Sequence, residues 1–173
     1  MGLWTNADGL RIKLGTTEAE VTRGGELNAF GADRQFEFVV DLANLASSST
    51  LLEDTSNIIF PTGFVTTEVV LINETAADSS GDTATLTLGL KKASDYSTAL
   101  DADAFAAAVA QSTIDAAGET NVIRTGSTGA GSSLGVALTE PGVLAGSYGT
   151  EAFTAGRIRV TVKGYIKRPS ASI

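Results

Sequence analysis

The stretch G-R-I-R-V-T-V-K-G-Y-I-K-R-P, residues 156–169, decides the fold that the sequence predicts. Aliphatic residues occupy one parity of this stretch, with Gly164 in the same register, while basic and polar residues occupy the other. Alternation with a period of two is typical of a β-strand with one buried and one solvated face. At about 3.3 Å per residue this strand extends over roughly 35 Å, so its apolar face requires a second sheet to cover it.

The composition favours many short strands joined by tight turns. The 173 residues are 43% hydrophobic and include 19 glycines but only three prolines, which fits one domain of that kind better than a helical bundle. The chain contains no cysteine and no histidine. It therefore lacks a disulfide framework, a thiolate nucleophile, the commonest general base and the commonest zinc ligand.

Further strands are predicted along the chain. Clear alternation marks residues 10–14, 36–42 and 86–90, and shorter strands are expected at 58–60, 120–125 and 134–139. Residues 64–72 are apolar on both parities, which predicts a strand that is central in a sandwich or lies against another subunit. The segment D-A-D-A-F-A-A-A-V-A-Q-S, residues 101–112, is alanine-rich, begins with two aspartates and spaces Phe105 and Val109 four apart, which predicts a helix.

These segments predict an all-β fold, an antiparallel β-sandwich or jelly roll of about eight strands with one short helix at residues 101–112. We expect a single domain in two parts. Residues 1–34 provide a first strand and an extended arm that forms an interface, because 15–34 are polar, rich in glycine and without a sustained period. Residues 35–173 form the sandwich. The only tryptophan, Trp4, either covers the edge of this core or docks on a neighbouring subunit.

Charge is distributed unevenly. The formal net charge is −8, yet residues 157–173 contain five basic residues and no acidic ones, which leaves −13 on the remainder. An acidic chain is poorly suited to nucleic acid, so we expect no nucleic-acid partner. The basic residues either protect an exposed strand from edge pairing or bind an acidic partner. The amino terminus lacks the features of a secretory signal and no run reaches about 20 apolar residues, so we expect no membrane association.

Candidate catalytic motifs are weak. Residues 131–135, G-S-S-L-G, match the nucleophile elbow formally, but a strand pattern follows and there is no histidine, so Ser133 is interpreted as a turn residue. Gly126 and Gly131 have the spacing of a phosphate loop, but Ser132 stands where lysine is required. We therefore expect no enzymatic activity.

Aspartates cluster in two regions, 78–82 and 95–103. Calcium prefers several such oxygens, but the spacing of an EF-hand is absent, and the aspartates are explained as hairpin-loop residues and as the cap of the predicted helix. We expect no cofactor and keep calcium as an alternative. Paired carboxylates also serve glycoside hydrolysis, although aromatic residues for stacking on sugars make up only 6% of the chain.

The order of segments carries a resemblance. It rests on G-L-R-I-K-L-G, F-E-F-V-V-D-L, I-I-F-P-T-G-F-V-T-T-E-V-V-L, D-T-A-T-L-T-L-G-L and A-F-T-A-G-R-I-R-V-T-V-K-G-Y-I, and covers residues 10–166. This order resembles the auxiliary head proteins of tailed bacteriophages, the decoration or cement proteins, and other minor virion proteins. The resemblance implies a homotrimer made in the host cytoplasm that sits on the outer capsid surface of the virion. There it binds the major capsid protein and bridges capsomers.

Under this interpretation the interface residues are expected in the arm and on the basic parity of the final strand. The candidates are Trp4, Leu27, Phe30, Arg157, Arg159, Lys163 and Lys167. Two alternatives stay open. A tail or fibre receptor-binding domain requires an exposed aromatic groove, and a carboxylate-based hydrolase on a jelly-roll scaffold requires two facing acids about 5 to 9 Å apart.

Overall fold

A computed structural model describes residues 2–5, 11–14, 25–28, 33–52 and 58–167, and in it the chain forms two antiparallel β-sheets. The strands are β1 (Gly2–Thr5), β2 (Arg11–Leu14), β3 (Gly25–Asn28), β4 (Asp33–Asp41), β5 (Thr50–Leu51), β6 (Phe64–Ser79), β7 (Thr85–Lys92), β8 (Ala99–Ala110), β9 (Thr120–Arg124), β10 (Gly142–Gly149) and β11 (Phe153–Ile166). Single 3₁₀ turns follow β4 and β8, at Leu42–Asn44 and Gln111–Thr113. The predicted all-β sandwich is confirmed.

The two sheets differ in width. The seven-stranded sheet has the order β1-β2-β3-β4-β11-β6-β9, and the four-stranded sheet has the order β5-β10-β7-β8. The buried core contains residues of both sheets, as expected for a sandwich. The described core residues of the wider sheet come from β4, β11, β6 and β9, and β1, β2 and β3 continue that sheet beyond β4. We call these three strands the extension.

The predicted alternation of β11 is confirmed. Ile158, Val160 and Val162 are completely buried. β11 lies between β4 and β6 and pairs with both in antiparallel register. The ladder with β6 is irregular between Lys163 and Gly164, where Lys163 faces Glu68 and Gly164 faces Thr66. This bulge keeps the apolar parity of the two longest strands on the core side.

An aromatic cluster fills the centre of the core. Phe60 is completely buried, with ring centroids 4.5 Å from Phe36, 4.9 Å from Phe105 and 5.6 Å from Phe64. These rings come from β4, β6, β8 and the segment before β6. Because aromatic side chains bury a large area and pack in tilted pairs, the cluster holds the two sheets together.

The predicted helix at residues 101–112 is wrong. Its first ten residues lie in β8, which pairs with β7, and its last two lie in a 3₁₀ turn. Residues four apart, such as Phe105 and Val109, share a face in a strand as well as in a helix. Alanine favours a helix by only a few tenths of a kcal/mol per residue, and by about 0.5 at most when it is compared with residues that favour strands. Pairing with β7 therefore overrides it. Within the described residues no helix is long and apolar enough to cross a membrane.

Other elements differ from the expectation in detail. β10 occupies residues predicted as a loop. In the segments predicted as strands at 58–60 and 134–139, Phe60, Leu134 and Ala137 form isolated bridges instead. The stretch 15–34 was expected to lack regular structure, but Gly25–Asn28 form β3 and β4 begins at Asp33. Residues 15–24 and 29–32 lie outside the described residues. The predicted first strand at 10–14 is confirmed as β2.

Candidate interaction surface

The outer face of the seven-stranded sheet, directed away from the core, carries the polar parity of β11. We use the name "outer face" for this side of β4, β11, β6 and β9. Its charged members are Glu37, Glu68, Glu74, Arg124, Arg157, Arg159 and Lys163. Cross-strand pairing brings these groups together from positions more than 50 residues apart in the chain.

Arg159 is the centre of one ion-pair group on this face. Its Nη1 lies 2.6 Å from Glu37 Oε1 and its Nη2 lies 2.7 Å from Glu74 Oε1. Arg157 Nε lies 3.1 Å from the other oxygen of Glu74. Hydrogen bonding to Glu74 and the charge of Glu37 raise the pKa of Arg159 despite an opposing effect of burial. Both basic residues thus have acidic partners within the chain.

Glu68 is the centre of a second group. Its carboxylate accepts a hydrogen bond of 2.9 Å from Lys163 Nζ and forms an ion pair with Arg124 of the edge strand β9. The hydrogen bonds from Lys163 and Arg124 lower the pKa of Glu68. The Glu68 side chain is only 16% exposed, so its negative charge is compensated mainly by Lys163 and Arg124 on the same face.

An apolar strip crosses the outer face between the two ion-pair groups. Thr161, Val70 and Val122 stand opposite one another on β11, β6 and β9. Val70 is 9% exposed whereas Val122, on the edge strand, is 41% exposed. The stems of the neighbouring arginines can cover inner parts of such a strip. The strip explains why residues 64–72 are apolar on both parities.

The predicted basic residues of β11 have acidic partners on the neighbouring strands. Arg157, Arg159 and Lys163 lie on the outer face but are paired with glutamates, so the face carries both signs of charge. Lys167 follows the end of β11 and is exposed, and its backbone N–H donates to the carbonyl oxygen of Gly63. Sequence reasoning missed the acidic partners. Glu37 and Glu68 occupy the polar parity of strands, which is the signal that could have found them.

The backbone register relates two arm residues to this face. Trp4 pairs with Ile12, and Ile12 with Leu27. Leu27 then pairs with Gln35, which pairs with Lys163. Trp4 and Leu27 therefore belong to the cross-strand row that contains Lys163, Glu68 and Arg124. Phe30 lies outside the described residues, and the interface role of all these residues stays a prediction.

Asp101 and Asp103 do not cap a helix, contrary to the prediction. They lie on β8 beside the loop that contains Ser132 and Ser133. Ser132 Oγ is 2.6 Å from Asp101 Oδ2 and 2.7 Å from Asp103 Oδ1, and Ser133 Oγ donates to Asp101 at 2.5 Å. Burial opposes ionisation of Asp101, but the hydrogen bonds from the two serines outweigh it and lower its pKa. These contacts attach the loop to the edge of β8.

Asp78 and Asp82 line an open pocket of about 540 Å³ together with Asp115 and Gln111. The amide of Gln111 is buried and donates to Asp82 Oδ1 at 3.1 Å. No group of three or more acidic side chains in the described part of the chain is arranged to hold a metal ion. Asp82 and Asp78 of this pocket thus have hydrogen-bond partners within the chain, Gln111 and Thr154.

Glu151 connects two turns at one end of the sandwich. Its carboxylate accepts hydrogen bonds from the backbone N–H groups of Gly81 and Thr83 at 3.0 and 2.8 Å and from Ser79 Oγ at 2.6 Å. The hydrogen bond from Ser79 and those from the backbone lower the pKa of Glu151 to about 2. The ionised carboxylate thus fastens the β6–β7 turn to the segment between β10 and β11.

This arrangement predicts a pH-dependent loss of stability. Because the pKa of Glu151 falls from 4.5 to about 2 on folding, its contribution is complete above pH 4.5 and is lost as the pH falls towards 2. We expect Glu151→Gln to unfold at a lower temperature than the wild type at pH 7, and the difference to shrink as the pH falls towards 2. Thermal unfolding followed by circular dichroism measures this. A constant difference across that pH range would contradict the assignment.

The protein is an all-β sandwich with a broad sheet face on which basic and acidic side chains are paired. No protein-family model matches the chain, and no curated protein is significantly similar to it. A chain of the solved structure described as "Cyanophage Pam1 capsid asymmetric unit" is similar over 96% of this chain and 93% of that chain, with 16% sequence identity and a TM-score of 0.41. A similarity at this level does not establish a shared function.

Proposed function

We propose that this chain is a non-enzymatic structural protein of a bacteriophage virion. It binds the outside of the capsid and stabilises the shell by bridging capsomers. The observation that carries the proposal is the unequal width of the sheets, in which a seven-stranded sheet extends three strands beyond a four-stranded one. A broad sheet face of this kind suits contact with a large, flat partner better than enclosure of a small molecule.

The proposed partners are the major capsid protein and further copies of the chain, as the sequence resemblance implies, with a homotrimer as the assembly. Any partner that binds the assembled shell but not its dissociated subunits stabilises it by mass action. In this proposal Trp4, Leu27 and Phe30 belong to the arm that makes contacts. Arg157, Arg159, Lys163 and Lys167 contribute through a face or end of β11 that also offers acidic groups.

The two alternative functions have less support. A glycan-binding groove needs exposed aromatic rings, whereas Phe36, Phe38, Phe60, Phe64, Phe105 and Phe153 are buried. Of the aromatic side chains whose burial is described, all of them within residues 33–167, only Tyr96 and Tyr165 are exposed, at 38% and 37%. A carboxylate hydrolase needs one acid with a raised pKa. Asp101, which shares a hydrogen bond to Ser132 with Asp103, has a lowered pKa instead.

Stabilisation of the shell tests this proposal. Heads of the encoding phage that lack this chain are heated with and without added protein, and DNA release is followed with an intercalating dye. We expect the added protein to raise the temperature of release, because it binds the intact shell preferentially. The matched control is a protein lacking residues 1–34, which should give a smaller shift. An unchanged release temperature with the full chain would overturn the proposed function.

A further inference from the structure

The extension has the opposite distribution of apolar residues from the rest of its sheet. In β4, β11 and β6 the apolar row runs through Phe36, Val162 and Val69 on the core side. Continued into the extension, that row reaches Glu26 and Lys13. The row continuous with the outer face instead contains Leu27, Ile12 and Trp4.

A second cross-strand row shows the same reversal, in which polar and charged residues of the extension continue a row of the core side. Gly164 on the core side pairs with Arg34, which leads to Asn28 and Arg11 in the extension. Leu3, opposite Lys13, is the exception to the pattern. Charged residues are costly beneath a second sheet, so these rows fit a sheet of which the narrower sheet, as far as its strands are described, covers only β4, β11, β6 and β9. The apolar row requires cover on the opposite side, continuous with the outer face.

From this reversal we infer that the outer face together with the extension is the surface on which copies of this chain associate. The cross-strand row of Trp4, Ile12 and Leu27 and the exposed Val122 of the strip lie in this surface. This association deepens the self-association of the proposed function, with a two-fold dimer in place of the homotrimer because the same face pairs on both copies, and it does not depend on capsid binding. It commits to a second copy of this chain as the partner.

The charges of the outer face favour a second copy as its partner. The chain carries −8 overall, so most of its surface repels another copy. The outer face has four basic groups, Arg124, Arg157, Arg159 and Lys163, against Glu37, Glu68 and Glu74. When Asp33 and Asp41 at the ends of β4 are included, the outer face has four positive and five negative charges, a net charge of −1. A nearly neutral face that alternates both signs can be complementary to another copy of itself.

The size of the face is also adequate. Strands about 4.8 Å apart and a rise of about 3.3 Å per residue give the outer face and the extension a combined area of roughly 890 Å². Stable protein interfaces bury about 800 Å² on each partner. Association over this surface therefore buries an area of the size that specific complexes need.

The experiment is light scattering and sedimentation velocity of the full chain over a wide concentration range, without capsids. We expect a mass that is a multiple of the 17.7 kDa monomer. Leu27→Arg and Val122→Arg should each weaken association by about tenfold or more, because they place a charge in a buried interface. The matched control is Tyr96→Arg, at a residue of similar exposure in the β7–β8 loop, which should not change the mass.

Each remaining outcome has an interpretation. Far-ultraviolet circular dichroism of Val122→Arg checks that the variant folds, and the wild-type spectrum is expected because Val122 is 41% exposed in the single chain. A wild type that stays monomeric, or a control that dissociates as much as the variants, would overturn the inference. If the two variants keep the wild-type mass but no longer co-sediment with heads, the surface binds the capsid and self-association occurs elsewhere. That result would overturn the inference and leave the proposed function intact.

Discussion

Replacing Gly164 with valine is expected to destabilise the protein by about 3 kcal/mol or more, at or beyond the upper range for overpacking a filled site. A Cβ atom at this position would lie 2.1 Å from the carbonyl oxygen of Val65 and 2.6 Å from the Phe64 ring atom Cζ. Neither neighbour can move easily, because one is backbone of the paired strand β6 and the other is a completely buried ring. Urea unfolding monitored by circular dichroism measures the loss.

The control for this variant is Gly118→Ala. Gly118 has a φ of +82° but nothing within 4 Å of an added Cβ, so only backbone strain of about 1 kcal/mol is expected. The comparison separates steric exclusion from conformational preference. An unfolding midpoint of Gly164→Val equal to that of the wild type would show that the bulge beside β6 is placed incorrectly.

Phe60→Ala is expected to cost about 3 to 5 kcal/mol, the range for removing a large buried aromatic side chain. Phe60 is completely buried and its ring lies within 5.8 Å, centroid to centroid, of four other phenylalanine rings. Its removal opens a cavity that rings from both sheets cannot fill without moving. The loss is measured as the change in free energy of unfolding at neutral pH.

The neighbouring residue supplies the control. Ile59 is 43% exposed, so Ile59→Ala should change the free energy of unfolding by only about 0.5 kcal/mol. Phe60→Leu should fall between the two, because it retains most of the apolar volume. Equal effects at positions 59 and 60 would contradict the assignment of Phe60 to the centre of the core.

The parts of the fold predicted correctly are those that local periodicity determines. β11 has one buried and one solvent-exposed face, so the residues that belong to each face could be identified from residues 156–169 alone. The same reasoning found β2, β4, β7 and β9. It failed at β8, where an alanine-rich segment satisfies both periods and pairing with β7 decides. β10 was missed because its small residues, such as Gly142 and Gly146, resemble a loop.

The candidate surface was predicted only in part, because it depends on register. The basic residues of β11 could be placed on one face from their spacing. Their glutamate partners could not, since Glu74 and Glu37 lie on β6 and β4 and no local signal states which strands pair. The sequence alone also could not show that the apolar residues of the extension lie on the other face of the sheet, because this follows only when β3 is aligned with β4.

We propose that this chain acts by binding the outside of a phage capsid. The most direct test is co-sedimentation of the purified chain with heads of the encoding phage that lack it, titrated to saturation and followed by limited proteolysis of the complex. We expect saturation at a fixed ratio to the major capsid protein, with the bound chain still accessible to protease. Absence of binding to the heads would contradict the claim, and so would bound protein that protease reaches only after the shell is opened.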